Sequence, residues 1–176
     1  LKEALNSILQ QTYQNWELIF WDNCSTDRSV SIFEEFNDNR FKYFLANKHT
    51  TLYQARNLAI QKSSGSFIAF LDTDDMWLHD KLEKQIPLFD DNSVGLVYGN
   101  CWLINKKNKI KKKKIFSKGK LNKGIITKYL LDDYKVALLT IVLRKNFLID
   151  ITNVFNAKYD LLADFDFCIN FSLKHK

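Results

Sequence analysis

Apolar positions recur along this chain in two alternating periods, one helical and one extended. Leu1, Ala4, Leu5, Ile8 and Leu9 fall at helical spacing and predict an amphipathic helix over Leu1 to Gln11. Trp16 to Trp21 is a short, mostly apolar run and predicts a strand. Ser25-Thr26-Asp27 supplies cap candidates for a second helix that turns Val30, Phe33 and Phe36 inward. Phe41 to Leu45 alternates and predicts a strand. Leu52, Ala55, Leu58 and Ala59 mark the inward face of a third helix, which Gly65 follows. Phe67 to Leu71 is then a strand, and Leu82, Gln85, Ile86 and Phe89 form a helical stripe that Pro87 should bend or end. Strands alternating with helices predict an α/β fold with a largely parallel sheet flanked by helices.

The second half changes character. Val94 to Ile104 and Ile110 to Phe116 predict strands flanking a lysine-rich turn, and Asn122 to Leu131 a helix. Leu139 to Leu143 predicts a strand, with β-branched Thr140, Ile141 and Val142. Ala163 to Leu173 predicts a closing helix. No internal repeat and no Pro/Gly/Ser linker interrupts the pattern, so residues 1–176 are expected to form one domain.

Composition narrows the class. At 46% hydrophobic and 14% aromatic residues the chain has the means to build a core and is not a disordered one. No apolar run reaches the roughly 18 residues of a membrane span, and Leu1 to Gln11 lacks the basic leader of a signal peptide. The abrupt helical start without Met leads to the expectation that roughly ten or more residues, apolar and forming a strand, precede Leu1 in the natural gene. Cys24, Cys101 and Cys168 are far apart and read as reduced thiols of a cytosolic protein; His49, His79 and His175 are equally scattered, which argues against zinc. The net charge is +6, and Lys106, Lys107, Lys109, Lys111, Lys112, Lys113 and Lys114 concentrate it. That run is either a contact for anionic phospholipid or a solvated hairpin tip. No aromatic residues interleave it, so a nucleic-acid partner is not expected.

The candidate chemistry sits where the Phe67 to Leu71 run stops. Asp72, Asp74 and Asp75 crowd the carboxyl end of that strand, where open α/β sheets place their ligands. Such a cluster is tolerable when a divalent cation or a ligand's hydroxyls neutralise it; otherwise it is an acidic turn. Asp72 and Asp74 would point to the same side if strand geometry persists. Asp22, also at a strand end, is suited to accept from a nucleobase N–H or to close a turn. Arg56 is suited to pair with a phosphate or one of the aspartates, or to be an exposed helix charge. Asp164 is placed as an acid in a helix's first turn.

These fragments together resemble a known family. Ser7-Ile8-Leu9-Gln10-Gln11-Thr12 through Leu18, Asp22-Asn23-Cys24-Ser25-Thr26-Asp27, Ala55-Arg56-Asn57, Phe70-Leu71-Asp72-Thr73-Asp74-Asp75-Met76-Trp77 and Lys81-Leu82-Glu83-Lys84-Gln85 occur in the order seen in family 2 of the inverting glycosyltransferases. The resemblance implies the A-type nucleotide-diphospho-sugar transferase fold, Rossmann-like, with the first strand upstream of Leu1. It divides the domain into a nucleotide-binding half, 1–99, and an acceptor-side half, 100–176. It further implies that Asp22 contacts the nucleobase, that Arg56 lies near the nucleotide, and that Asp72 sits near the ribose and metal. Asp74 would be the direct metal ligand, for Mn or Mg, Asp75 would lie on the acceptor side and Asp164 would be the catalytic base. The implied donor is a nucleotide sugar, a UDP-sugar first, and the acceptor a glycan or lipid-linked glycan. The implied setting is bacterial surface polysaccharide synthesis, cytoplasmic and peripheral at the inner face of the membrane. Two departures stand out: Ala163 replaces the acid expected before Asp164, and no glycine precedes Ala-Arg-Asn within Thr50 to Gln54. Two other readings fit parts of the pattern. One is a non-catalytic sugar-nucleotide-binding domain. The other is a phosphatase of the haloacid dehalogenase type, in which the first aspartate would be a nucleophile.

Overall fold

The computed structural model describes residues 1–104, 114–150, 152–159 and 161–175. The first half follows its local signals. Helix α1 (Lys2–Leu9) buries Ala4, Leu5 and Ile8. Strand β1 (Leu18–Asp22) pairs in parallel with β2 (Phe41–Leu45), Leu18 opposite Phe41 through Asp22 opposite Leu45. Parallel neighbours need a crossover, and α2 (Ser29–Glu34) supplies it. Its Phe33 ring lies 4.8 Å from Phe20 on β1 and 5.6 Å from Tyr43 on β2, closing an aromatic layer over this ladder.

Helix α3 (Leu52–Lys62) is capped by Thr51, whose hydroxyl accepts from the Gln54 amide. Strand β3 (Phe67–Ala69) follows, and α4 (Lys81–Gln85) then tightens into a 3-10 turn, Ile86–Phe89, that contains Pro87. Proline removes a donor from the helix interior, so the expected end falls there. Beyond lie β4 (Leu96–Val97), β5 (Trp102–Leu103), β6 (Lys114–Ile115), α5 (Thr127–Asp132), β7 (Val142–Arg144) and α6 (Ala163–Ser172). β7 is central between β3 and β4 and antiparallel to both, so β3 and β4 run parallel to each other. Successive residues of this sheet feed opposite layers. Ile68 and Leu143 enter a large core with Phe155, Phe167 and Phe171, whereas Val142 and Val97 pack with Leu82 and Phe89 on the other side.

Four expectations shift, each for a local reason. α3 buries Tyr53, Ala55, Asn57 and Ile60, while Leu52 is 54% exposed and Leu58 only half-buried; the inward face is rotated. Asn57 tolerates burial because its amide donates to the Phe155 carbonyl (2.7 Å) and accepts from the Phe155 N–H (2.9 Å). The strand expected from Leu139 begins later, because the Thr140 hydroxyl and amide both donate to the Ala137 carbonyl and close a 3-10 turn first. The run Val94 to Ile104 breaks into β4 and β5. The Asn100 side chain there donates to the Ser117 carbonyl and accepts from the amides of Ser117 and Cys101. α5 starts only at Thr127, after Gly124 with its φ of +84°.

β5 and β6 form the expected antiparallel pair, Trp102 opposite Ile115. Of the lysine run, Lys106, Lys107, Lys109, Lys111, Lys112 and Lys113 lie outside the described residues, and for Lys114 the backbone alone is placed, in β6. Among the described residues no helix is long and apolar enough to cross a membrane.

Two polar clasps lock the layers. Gln11, 1% exposed, donates to the Ser7 and Leu78 carbonyls and accepts from the Leu82 amide, and the Thr12 amide donates to the His79 carbonyl. The start of β1 is tied to the turn before β3 by Glu17, which accepts from the Ser64 amide and hydroxyl, the Gly65 amide and Lys42. Burial raises the Glu17 pKa, but the Lys42, Ser64 and Gly65 hydrogen bonds outweigh it and bring the carboxyl from 4.5 down to about 2. A depressed folded-state value makes this stabilisation complete above the ordinary value of 4.5 and lost as pH falls towards about 2. We therefore expect Glu17→Gln to flatten the fall in urea midpoint across that window relative to wild type. Parallel curves for the two proteins would show that Glu17 contributes nothing there.

Candidate functional site

The acidic cluster begins where β3 has already ended. The chain leaves extended geometry after Ala69, and the Asp75 amide donates to the Asp72 carbonyl (3.1 Å), closing a turn. Strand alternation therefore does not extend to Asp72 and Asp74, and the condition under which both would point to one side is not met. Their environments differ. Arg56 donates from one guanidinium nitrogen to both oxygens of Asp72, at 2.5 and 2.8 Å. The Arg56 side chain is only 12% exposed and the Asp72 side chain 47%, so the cation is the buried partner. Asp74 is exposed and makes no hydrogen bond or ion pair among the described residues. Asp75 is half-buried; burial, then repulsion from Asp72 and Asp74, pushes its carboxyl above the ordinary value.

Downstream the same loop is fixed by Trp77, whose amide donates to the Ser7 hydroxyl and whose indole donates to the Leu139 carbonyl. Lys81, over the Trp77 ring at 4.4 Å, donates to Gln85 (2.6 Å), and burial pulls its pKa down to about 7.

From Arg56 the contacts run on along α3. Its guanidinium lies 5.2 Å from the Tyr53 ring centre, and the Tyr53 hydroxyl donates to Asp164 Oδ1 (3.1 Å). Asp164 stands in the first turn of α6, where the helix dipole favours an acid, and Oδ1 also accepts from the Phe165 amide (2.9 Å). Asp166 is engaged on its own helix, accepting from Asn170. The structure thus gathers Asp72, Arg56 and Asp164 into one linked cluster, with Asp74 and Asp75 on the adjoining loop.

Asp22 is held separately. It is 2% exposed, with Oδ1 accepting from the Ser25 amide (2.7 Å) and Oδ2 from the Tyr43 hydroxyl (2.6 Å). Burial is the largest single influence and raises its pKa, but the Tyr43 and Ser25 hydrogen bonds outweigh it and leave the carboxyl below the ordinary value. Asn23 bonds Thr50 in both directions and so anchors this loop to the start of α3. Cys24 between them adopts a left-handed φ of +64°.

Sequence reasoning missed Tyr53 and gave Asn57 no role beyond its place in Ala55-Arg56-Asn57. The available signal was spacing: Tyr53 lies three residues before Arg56 and four before Asn57, which places all three on neighbouring helix positions. A cleft of about 400 Å³ between α3 and residues 152–158, lined by Gln54, Asn57, Asn153 and Lys158 among others, includes none of the acids.

No group of three or more His, Cys, Asp or Glu side chains among the described residues is arranged to hold a metal ion. The donor set still suits a hard cation shared with a ligand. Magnesium-type ions are held by one or two carboxylates plus substrate phosphates and retain several waters. Asp74 offers a free carboxylate, whereas Asp72 is already engaged by Arg56.

The geometry has counterparts. Over 108 residues the chain is 40% identical to the Escherichia coli UDP-Glc:alpha-D-GlcNAc-diphosphoundecaprenol beta-1,3-glucosyltransferase WfgD, a match that covers 61% of this chain and 43% of that protein. It is 35% identical over 100 residues to WfaP, a second E. coli enzyme of the same description, covering 57% of this chain and 40% of that one. The chain thus spans less than half the length of these relatives. The crystal structure of S. aureus TarS 1-349 in complex with UDP-GlcNAc superposes with a TM-score of 0.74 at 20% identity, covering 98% of this chain and 48% of that one, which shows a shared fold. The family model for glycosyl transferase family 2 matches residues 1–150, and the chain belongs to that family.

Proposed function

We propose that the protein transfers a sugar from a nucleotide-diphospho-sugar to an acceptor hydroxyl, with inversion and with a divalent metal. The observation that carries this reading is the linked arrangement of Asp72, Arg56, Tyr53 and Asp164 beside the exposed Asp74. It sets a cation and an open carboxylate for a diphosphate next to a second carboxylate able to take a proton. In this reading Asp164 accepts the proton of the acceptor hydroxyl. The hydroxyl oxygen attacks the anomeric carbon, and the bond from that carbon to the diphosphate breaks with its electron pair going to the diphosphate. No protein nucleophile takes part, so one displacement inverts the anomeric centre. A Mn or Mg ion held by Asp74, with Asp72 beside it, supplies positive charge to the leaving diphosphate when bound.

Asp22 then faces the nucleobase, Arg56 serves the diphosphate, and Asp75 lies towards the acceptor. Residues 1–99 are the nucleotide half and 100–176 the acceptor half. The donor is a UDP-sugar and the acceptor a lipid-linked glycan, which the descriptions of WfgD and WfaP and the UDP-GlcNAc complex of TarS support. The setting is bacterial surface polysaccharide synthesis at the cytoplasmic face of the membrane, with the lysine run touching anionic lipid. A dehalogenase-type phosphatase would need Asp72 as a free nucleophile, and Arg56 holds both of its oxygens.

Calorimetry on the full-length protein tests the donor side. UDP should bind wild type more tightly when Mn or Mg is added, and Asp74→Ala should abolish the metal's effect. Equal, metal-independent affinity in both proteins would remove the basis for a metal-assisted donor site.

A further inference from the structure

We propose that Tyr53 is a positioning residue that fixes the Asp164 carboxylate through Oδ1, so that Oδ2 is the oxygen that takes the acceptor's proton. The inference rests on the reading of Asp164 as the base and adds which of its atoms acts and what aims it.

The lone-pair count comes first. An ionised carboxylate has two acceptor positions on each oxygen and no donor of its own. Oδ1 receives the Tyr53 hydroxyl at 3.1 Å and the Phe165 amide at 2.9 Å, which fills it. Oδ2 receives no hydrogen bond among the described residues. A proton arriving from an acceptor hydroxyl therefore has Oδ2 as its site.

Tyr53 is the less replaceable of the two donors. The Phe165 amide belongs to the residue next to Asp164 and moves with it. Tyr53 comes from α3, 111 positions away in sequence, and is 5% exposed. Its ring packs at 5.6 Å from Phe155, a task a phenylalanine would do equally well. What a phenylalanine lacks is the hydroxyl. A buried hydroxyl is costly unless bonded, and Asp164 is the partner it has. Burial, and then the Asp164 charge, raise the Tyr53 pKa, so the phenol stays a donor at neutral pH.

The helix adds rigidity. Arg56 lies one turn further along α3 and grips Asp72, so a single helical turn spaces the donor-side acid from the acceptor-side base. Asn57 bonds both polar backbone atoms of Phe155 and holds that turn against the core. Titratable groups near Asp164 include Tyr53 from α3, with Arg56 beside Tyr53, Tyr134 from the segment after α5, and Asp166 and Cys168 from α6. Burial, the largest influence on both, keeps Tyr134 and Cys168 protonated at neutral pH, and Arg56 is a permanent cation.

The test uses Tyr53→Phe and Asp164→Asn in the full-length protein, with kcat, donor KM, UDP affinity and the pH profile of kcat/KM measured for each. Removing a donor from a carboxylate disfavours its charged form, so Tyr53→Phe should move the acidic limb to higher pH. It should also lower kcat by on the order of 10- to 100-fold through lost alignment, with donor KM and UDP affinity within about twofold of wild type. Replacing Tyr53 by 3,5-difluorotyrosine keeps the shape, strengthens the donor and should move the limb the other way. This second variant decides the matter if Tyr53→Phe fails to fold. An acidic limb unmoved in the folded variants overturns the proposal, as does a parallel loss of kcat and UDP affinity. If Asp164→Asn is inactive while the Tyr53 variants behave as wild type, the positioning role alone fails. If Asp164→Asn transfers sugar at the wild-type rate, the base assignment itself fails.

Discussion

Asp164→Asn is expected to keep nucleotide binding and to slow sugar transfer by a factor on the order of 10² to 10⁴, the range for a positioned general base. The substitution is nearly isosteric. Its amide oxygen still accepts from Tyr53 and from the Phe165 N–H, so the start of α6 keeps its hydrogen bonds. What disappears is the atom able to take a proton, because an amide nitrogen does not replace a carboxylate oxygen as a base. The donor-side groups Arg56, Asp72 and Asp74 are untouched, so UDP affinity measured by calorimetry should stay at its wild-type value. Single-turnover product formation reads the chemical step directly. Near-wild-type transfer by the variant would move the search to Asp75, the half-buried acid whose carboxyl is already pushed above its ordinary value.

The largest stability effect is expected from Phe155→Ala, at about 3–5 kcal/mol for an aromatic truncation in a packed interior. Phe155 is fully buried, and its ring lies 5.6 Å from Tyr53, 5.3 Å from Phe70 and 5.2 Å from Phe167. The segment cannot simply collapse into the vacated space, because Asn57 bonds both its amide and its carbonyl. A typical domain has about 5–15 kcal/mol in all, so this change alone consumes much of it. Urea unfolding measures the loss. A change under about 1 kcal/mol would mean that neighbouring rings refill the site and that the Asn57 anchor is weaker than its geometry suggests.

What the sequence disclosed and what it hid divide along contact distance. Pro87 ended its helix and the alternation of Phe41 to Leu45 gave its strand, because these signals act within a few residues. The rotated face of α3 has the opposite origin. Asn57 turns inward only because a backbone 98 positions away accepts and donates to it, and no local period records that. The strand expected from Leu139 starts late because Thr140 spends its hydroxyl on a turn rather than on a ladder. The site shows the same split. The family resemblance names Arg56, Asp72 and Asp164 as candidates, and the structure links them through Tyr53. Their link through Tyr53, the buried bonds of Asp22 to Tyr43, and the loss of strand geometry before Asp72 are tertiary facts. Local reasoning fails first where distant segments satisfy one another's polar groups.

The Gln11 clasp gives the acidic loop a dynamic inheritance. Upstream, the loop hangs from β3, which is stitched into a ladder with β7. Downstream, its restraints are α1 and the turn after it, through Ser7 on Trp77, Gln11 on Leu78 and Leu82 and Thr12 on His79, together with the Trp77 indole on the Leu139 carbonyl. Local openings in a folded protein run through contiguous cooperative units. Residues 77–82 share four of these bonds with α1 and the turn after it, so undocking of α1 would leave the far end of the loop carrying Asp72, Asp74 and Asp75 held by the Trp77 indole on Leu139. The freedom of those carboxylates thus depends in part on how firmly a helix some sixty-five residues earlier in the chain stays seated.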